Sequence, residues 1–433
     1  MSLPTAGAMD AMPATGGRPV EPRPVPGRAG EGAGAALETR INRALAAAIG
    51  LLLPVLTLRT AYIGTPVDLL SRIVPVDLVC AALLGALFLR HRMKAPPPAA
   101  LLYLAAMVLA LIPGLAVTPG PESQVWVQFL ALLMAFGFYL AGLNLAASPG
   151  LLRWLLAGMA VSAIAEAVVV FHDALAPLQW FPDPMEGRVR GTFRANGQLG
   201  AYGFCAGGLL ATFGATLAGP GWRRVCVGAA ILCASFIFLA SRRTGMISVL
   251  VWGALFAVLG ARFAGRRFYP VFVASFLVLL LLGAAFWPHV DRTFMGRRFM
   301  AAVTSLQDRE GFIQTQLRRC YETAEDWFPF GYGPGRGYRI NPREAQEVHN
   351  GLLAVLVELG VLGLLGFLGM IGRAFPRGAR PRGGPDGGLR NVLLVTFLVV
   401  CFLFMAHNTL YRDRTFMLYL GLATTAARQE VAA

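Results

Sequence analysis

The chain reads as apolar runs separated by short polar joints. The runs cover roughly 44–58, 73–89, 99–117, 125–147, 152–171, 199–217, 225–240, 246–261, 268–287, 351–371, 391–406 and 415–427. Each predicts a helix, because about 20 apolar residues carry a helix across about 30 Å of hydrocarbon. Twelve spans would use roughly 240 residues, about the apolar share of the chain. The expected fold is therefore an all-α polytopic membrane protein with about 12 transmembrane helices, 39–287 holding the first nine and 351–427 the last three. Residues 1–38, rich in Ala, Gly and Pro and without apolar periodicity, are expected to form a disordered cytoplasmic tail. They are too long and polar ahead of the first run for a cleaved leader. Residues 428–433 form a second short tail.

Composition agrees. Of 433 residues 56% are hydrophobic and 14% charged, and mean hydropathy is +0.60. Soluble domains carry about a quarter charged residues, so a cytosolic globular protein is excluded, along with a disordered chain and a disulfide-knit secreted domain. Transporter, channel and membrane enzyme stay open. Lys94 is the sole lysine among 38 basic residues, and the formal charge is +15. The arginines lie between apolar runs and not on one soluble face, so nucleic acid is not an expected partner.

The joints set orientation. Arg90, Arg92 and Lys94 follow the second run, Arg223 and Arg224 the sixth, Arg262, Arg266 and Arg267 the eighth. Arg373, Arg377, Arg380, Arg382 and Arg390 separate the tenth from the eleventh. All fall on the cytoplasmic side if the N-terminus is cytoplasmic, as the positive-inside rule requires. The opposite side then carries a shorter loop, 172–198, and a larger one, 288–350. The larger is nearly neutral, nine arginines against eight acids. Ser241-Arg242-Arg243-Thr244-Gly245 is the exception: two adjacent cations outside with no nearby acid, which point to an anionic partner or to snorkelling at a helix end.

Within the larger loop Ile313, Leu317, Tyr321, Ala324 and Phe328 recur at helical spacing, with Arg318, Glu322 and Glu325 off that stripe. This predicts an amphipathic helix lying on the membrane or capping the bundle, with an Arg318–Glu322 pair. Phe330-Gly331-Tyr332-Gly333-Pro334-Gly335-Arg336-Gly337-Tyr338 follows; glycine-rich backbone can approach phosphate and offer amide donors. The six cysteines (Cys80, Cys205, Cys226, Cys233, Cys320, Cys401) and five histidines show no metal-ligand spacing, so neither a structural disulfide nor a metal is expected.

Glu347-Val348-His349-Asn350-Gly351-Leu352-Leu353, then Val357-Glu358-Leu359-Gly360-Val361-Leu362-Gly363, resemble the HN…ELGxxG element of the O-antigen ligase family. Arg190-Gly191-Thr192-Phe193 with Asn196 and Gly200 resembles its RxxGTF…N segment, Ser241–Gly245 its external joint, and Phe330–Gly337 its glycine stretch. The resemblance covers about residues 100–427. One departure is that Tyr321 stands where the family often has a Trp, and Leu317 where it has an Arg.

That resemblance implies a GT-C-like multi-pass enzyme of the bacterial inner membrane, facing the periplasm. It would move a glycan from undecaprenyl diphosphate to an acceptor hydroxyl, on a lipid A core or a growing glycan, without a cofactor. The relatives include ligases, polymerases and protein O-oligosaccharyltransferases; a lipid flippase is the rival from another class. Displacement at an anomeric carbon needs cations on the leaving diphosphate and a base at the acceptor hydroxyl. The expected diphosphate-binding groups are Arg242, Arg243, Arg318, Arg319 and Arg190, because guanidinium forks match phosphate oxygens. His349 is the expected base or diphosphate ligand, held neutral by the following helix N-terminus, with Asn350 as its N-cap. Asn196, Gly333 and Gly335 are expected to support the site. Glu358 lies nine residues on, about 13 Å deeper at 1.5 Å per residue; a carboxylate there must be protonated or paired, which favours a structural role. His407, Arg412 and Arg414 form a further external joint, and Glu166 and Arg72 are polar residues in or near spans.

Overall fold

A computed structural model of the chain describes residues 29–54, 73–116, 122–175, 180, 189, 191–193, 196–214, 216, 219–240, 243–259, 277, 314–340, 348, 350–376, 385–405 and 410–432. Everything regular among them is helical. The helices are α1 (Ala29–Leu52), α2 (Pro75–Leu89), α3 (Pro98–Leu109), α4 (Leu111–Ala116), α5 (Glu122–Leu145), α6 (Pro149–Leu175), α7 (Asn196–Leu209), α8 (Pro220–Leu239) and α9 (Arg243–Leu259). Then come α10 (314–322), α11 (Ala324–Trp327), α12 (Gly351–Ala374), α13 (Pro385–Met405) and α14 (Arg414–Ala432). Residues 1–41 cluster apart from the unit formed by 42–433, and only the latter is considered below.

Eleven of the twelve apolar runs fall on described helices; the ninth, 268–287, lies outside the described residues except Leu277. Among the described residues six helices are long and apolar enough to cross a membrane: Pro98–Ala116, Gln124–Leu145, Pro149–Leu175, Pro220–Leu239, Gly351–Ala374 and Gly388–Met405. The chain is thus a polytopic helical membrane protein by length and composition. Pro75–Leu89 and Ile247–Leu259 are apolar but shorter. The sixth splits into α7 and a π-helical turn, Leu210–Gly214. Helix α1 begins at Ala29, within the stretch expected to be a tail; a stretch rich in Ala with Glu31, Glu38 and Arg40 is a good helix former despite its glycines.

Small residues bring the helices together, as lipid gives no hydrophobic drive for association. Gly142 of α5 sits against the backbone of Leu418 and Leu422, and Gly421 of α14 against that of Tyr139. Thr425 Oγ1 donates to the Leu143 carbonyl at 2.9 Å, while Arg412, just before α14, reaches Gln128. The offset stays near constant along both helices, so α5 and α14 run parallel. By the same test α1 and α6 are parallel, with Gly158 on Ala47 and Ser162 Oγ donating to the Gly50 carbonyl at 3.0 Å. Helices α3 and α12 are antiparallel, Gly366 meeting Tyr103 and Gly369 meeting Ala99. Residues 415–427 of α14 are buried throughout, which makes it a central helix surrounded by protein.

These pairings sort the polar joints into two ends. One gathers Arg43, Lys94, Arg153 and Arg390: the Lys94 amide donates to Asn144 Oδ1 at 2.8 Å, and Arg43 lies 4.0 Å from where a Gly150 side chain would start. The other gathers the start of α12, residues 410–414 and the glycine-rich loop.

Candidate functional site

Helix α12 is broken. Gly360 takes φ 71°, ψ −172°, a conformation open essentially to glycine alone. The break frees the carbonyls of Val357 and Glu358. They are taken up by the loop after α11: the Tyr332 amide donates to Val357 O at 2.8 Å and the Gly333 amide to Glu358 O at 3.1 Å. In return the Val361 amide donates to Pro329 O at 3.0 Å. Gly331, Gly333 and Gly335 all have positive φ. A Cβ on Gly333 would strike Gly114 of α4, and one on Gly335 would sit 2.5 Å from the Gln128 side chain. The glycine stretch therefore closes the helix break with its own backbone, and irregular backbone next to an apolar helix is tolerated where protein buries it.

Glu358 sits at the centre of this arrangement. Its Oε2 accepts from Arg412 Nη2 and lies 3.4 Å from the Tyr411 hydroxyl, which donates to it. Arg412 Nη1 also donates to Gln128 Oε1 at 3.1 Å, and its guanidinium lies 5.0 Å from the Tyr411 ring centroid. The ion pair is nearly closed off from solvent, with side-chain exposures of 15% for Arg412 and 6% for Glu358. The loop forms the remaining wall, since a Cβ on Gly337 would lie 3.1 Å from Glu358 Oε1. Arg336 beside it is fully buried and donates from Nη1 to the Tyr338 hydroxyl at 2.9 Å. An ion pair thus lies close to the helix break, walled by a loop that carries a second buried guanidinium.

A second ion pair flanks it. Arg414 grips Asp77 through Nε–Oδ1 at 2.6 Å and Nη2–Oδ2 at 2.8 Å, and Asp77 Oδ2 also accepts the Val74 amide at 2.9 Å. Asp413, between the two arginines, caps α14 by accepting the Phe416 amide at 2.8 Å. Desolvation pushes its carboxyl above the usual carboxylate range, against the pull of the Phe416 amide and Arg414.

Glu166, without a partner in the sequence, has one here. The Thr192 amide donates to Oε1 at 2.8 Å. The Thr192 hydroxyl lies 2.7 Å from Oε2 and 3.0 Å from the Pro54 carbonyl, donating to one at a time. Gly191 adopts φ 56° because a side chain there would run into Glu166. The Gly-Thr-Phe segment is thereby pinned onto α6. Thr192→Val should lower the thermal midpoint, by about 1–3 kcal/mol of stability, since it strips a donor from a buried carboxylate; Thr192→Ser should not. Equal midpoints for the two variants in detergent would rule the contact out. Nearby, His172 stacks on Trp180 at 3.8 Å, and Asp173 Oδ1 accepts the Trp180 amide at 2.7 Å.

The other sequence-selected residues divide. Asn350 caps α12, its Oδ1 accepting Leu352 and Leu353 amides at 3.0 and 3.1 Å, as expected from its place before an apolar run. Gly333, Gly335 and Glu358 come together as described. Arg318 is exposed and held by Glu322 at 2.8 Å, and Arg319 is half-buried on the same helix. His349, Arg190, Arg242, His407 and Arg72 lie outside the described residues, as do the side chains of Arg243 and Asn196. Arg336, Gln128 and Asp77 were not selected. An arginine between glycines was the only available signal, and it did not reveal burial.

The expected amphipathic helix is interrupted, and its exposed large apolar residues agree with the membrane-lying alternative and not with the capping one. A turn at Thr323 separates α10 from α11, so the helical period does not run through. Leu317, Tyr321 and Phe328 are 52%, 84% and 64% exposed, whereas Cys320 and Trp327 are buried, with Trp327 Nε1 donating to the Cys320 carbonyl at 3.1 Å. The apolar stripe faces away from the protein. Burial pushes the Cys320 thiol up to about 12, which leaves it unreactive. Among the described residues no group of three His, Cys, Asp or Glu is placed to hold a metal.

No family model matches the chain, and no curated protein matches it in sequence.

Proposed function

We infer that the chain is a membrane glycosyltransferase of the O-antigen ligase type, moving a glycan from undecaprenyl diphosphate to an acceptor hydroxyl. One observation carries this reading. The helix with the most specific resemblance, HN…ELGxxG, and the Phe330–Gly337 loop, whose likeness to the family carries little weight alone, are hydrogen-bonded to each other across the Gly360 break. They enclose a buried Glu358–Arg412 pair beside a buried Arg336. Such a framework holds the start of α12 beside the glycine loop.

In the reaction the acceptor oxygen bonds to the anomeric carbon as the sugar–phosphate bond breaks. His349 takes the acceptor proton, and the diphosphate leaves with the bonding electrons. Arg242 and Arg243 stabilise the charge that grows on it. A neutral imidazole next to the capped N-terminus of α12 is suited to accept a proton, because the helix dipole disfavours its cation. Glu358 and Arg412 have a positioning role and do not touch the donor.

His349→Ala and Arg243→Ala should each abolish transfer while leaving folding unchanged. The assay uses purified full-length protein, a lipid-linked glycan and an acceptor. Wild-type turnover in both variants would end this reading. A gene deletion then separates ligase from polymerase: capped lipopolysaccharide is lost while carrier-linked polymer persists in the first case, and polymer itself is lost in the second.

A further inference from the structure

The arginine-rich end holds two neighbouring cavities far along the helices from the Glu358 cluster. The larger, about 400 Å³, lies between the N-terminal turns of α6 and α8 and is lined by Arg153, Trp154, Gly219, Trp222 and Cys226 among others. The smaller, about 150 Å³, is lined by Pro149, Leu152, Arg153, Phe213, Arg390 and Ala426 among others. Arg153 is common to both walls. One guanidinium therefore stands between a two-arginine recess and an aromatic one.

We propose that these neighbouring cavities bind one anionic phospholipid, with its phosphate between Arg153 and Arg390 and a chain running past Trp154 and Trp222 into the groove between α6 and α8. Three observations fit a lipid better than a free anion. Helix α6, 27 residues long, begins at the two-arginine recess with Pro149 in its wall, so its positive end adds to the two guanidinium groups. Trp154 and Trp222 are 48% and 51% exposed, the placement of indoles at a membrane–water boundary. Beyond them the outer faces of the same helices stay apolar and open, with Val161 and Val168 on α6 and Val225 and Ile231 on α8 all exposed. A phosphate with no tail would use the first feature alone. Basic pockets between membrane helices at the positively charged face are known chemistry for anionic headgroups. The site is independent of glycan transfer.

The test uses full-length protein in neutral detergent. Binding is followed by native mass spectrometry and thermal midpoint, with phosphatidylglycerol, phosphatidylcholine and inorganic phosphate as probes. Phosphatidylglycerol should bind and raise the midpoint; phosphatidylcholine and inorganic phosphate should not. Arg153→Gln with Arg390→Gln should weaken phosphatidylglycerol about tenfold or more, and Arg153→Lys less. Trp154→Ala with Trp222→Ala, both at exposed positions, should weaken it while leaving the lipid-free midpoint in place. Should the arginine pair fail to fold, this tryptophan pair decides: undiminished phosphatidylglycerol binding in it overturns the proposal. So does unchanged binding in a folded arginine pair. Phosphate binding as tight as the lipid's would mean a free-anion site instead.

Discussion

Glu358→Ala should destabilise the folded protein by about 3–5 kcal/mol, the range for removing one partner of a buried ion pair. The loss comes less from the attraction itself than from what is left behind. Arg412 would keep its charge in a site 15% exposed after losing the carboxylate that balances it. The pair also fastens α12 to the segment before α14, so breaking it loosens the start of both helices. Arg412→Ala should cost a similar amount. The double variant should be less damaged than the sum of the two, because no charge is then left unpaired. Chemical or thermal unfolding of the four proteins in one detergent reads the cycle. Additive losses would mean that the two side chains do not act together. Residual transfer activity should fall in step with loss of structure, not independently of it, since Glu358 is read as positioning.

Gly360→Ala is expected to be as severe. Its φ and ψ lie where a Cβ alone costs about 1–3 kcal/mol, and that Cβ would run into the Pro329 carbonyl. The Pro329–Val361 hydrogen bond is then lost as well, adding about 1 kcal/mol. The glycine loop would leave the break. Trp327 is buried beneath this loop's start, so its fluorescence should shift toward that of a solvated indole, and protease should cut within 328–340. Gly372→Ala is the control: it lies in the same helix with nothing within 4 Å of its Cβ direction, and it should behave as wild type. If Gly360→Ala and Gly372→Ala unfold alike, the broken helix is not a feature of the protein.

Much of the architecture follows from composition along the chain. Apolar runs at membrane length, polar joints and clustered arginines are local properties, and burial in lipid does not depend on which helix lies beside which. The Asn350 cap was equally legible, because capping needs only the residue and the two amides that follow. Failure came wherever the outcome depended on a distant segment. The Leu317–Phe328 stripe has helical spacing, yet no pattern within it says which face meets protein. Glu166 and Glu358 read as carboxylates in awkward places, and Asp77 drew no notice, until Thr192, Arg412 and Arg414 arrive from elsewhere in the chain. The pairs Glu166–Thr192, Glu358–Arg412 and Asp77–Arg414 are separated by 26, 54 and 337 positions respectively.

By itself the sequence determined that this is a helical membrane protein with its cations gathered in particular joints and a glycine-rich loop ahead of a long apolar helix. Only the tertiary structure decided that the loop enters that helix at Gly360 and that the buried carboxylates are satisfied from afar. The reason is physical: hydrophobicity and capping act over a few residues, whereas a freed carbonyl or a buried charge takes whatever donor the packing brings to it.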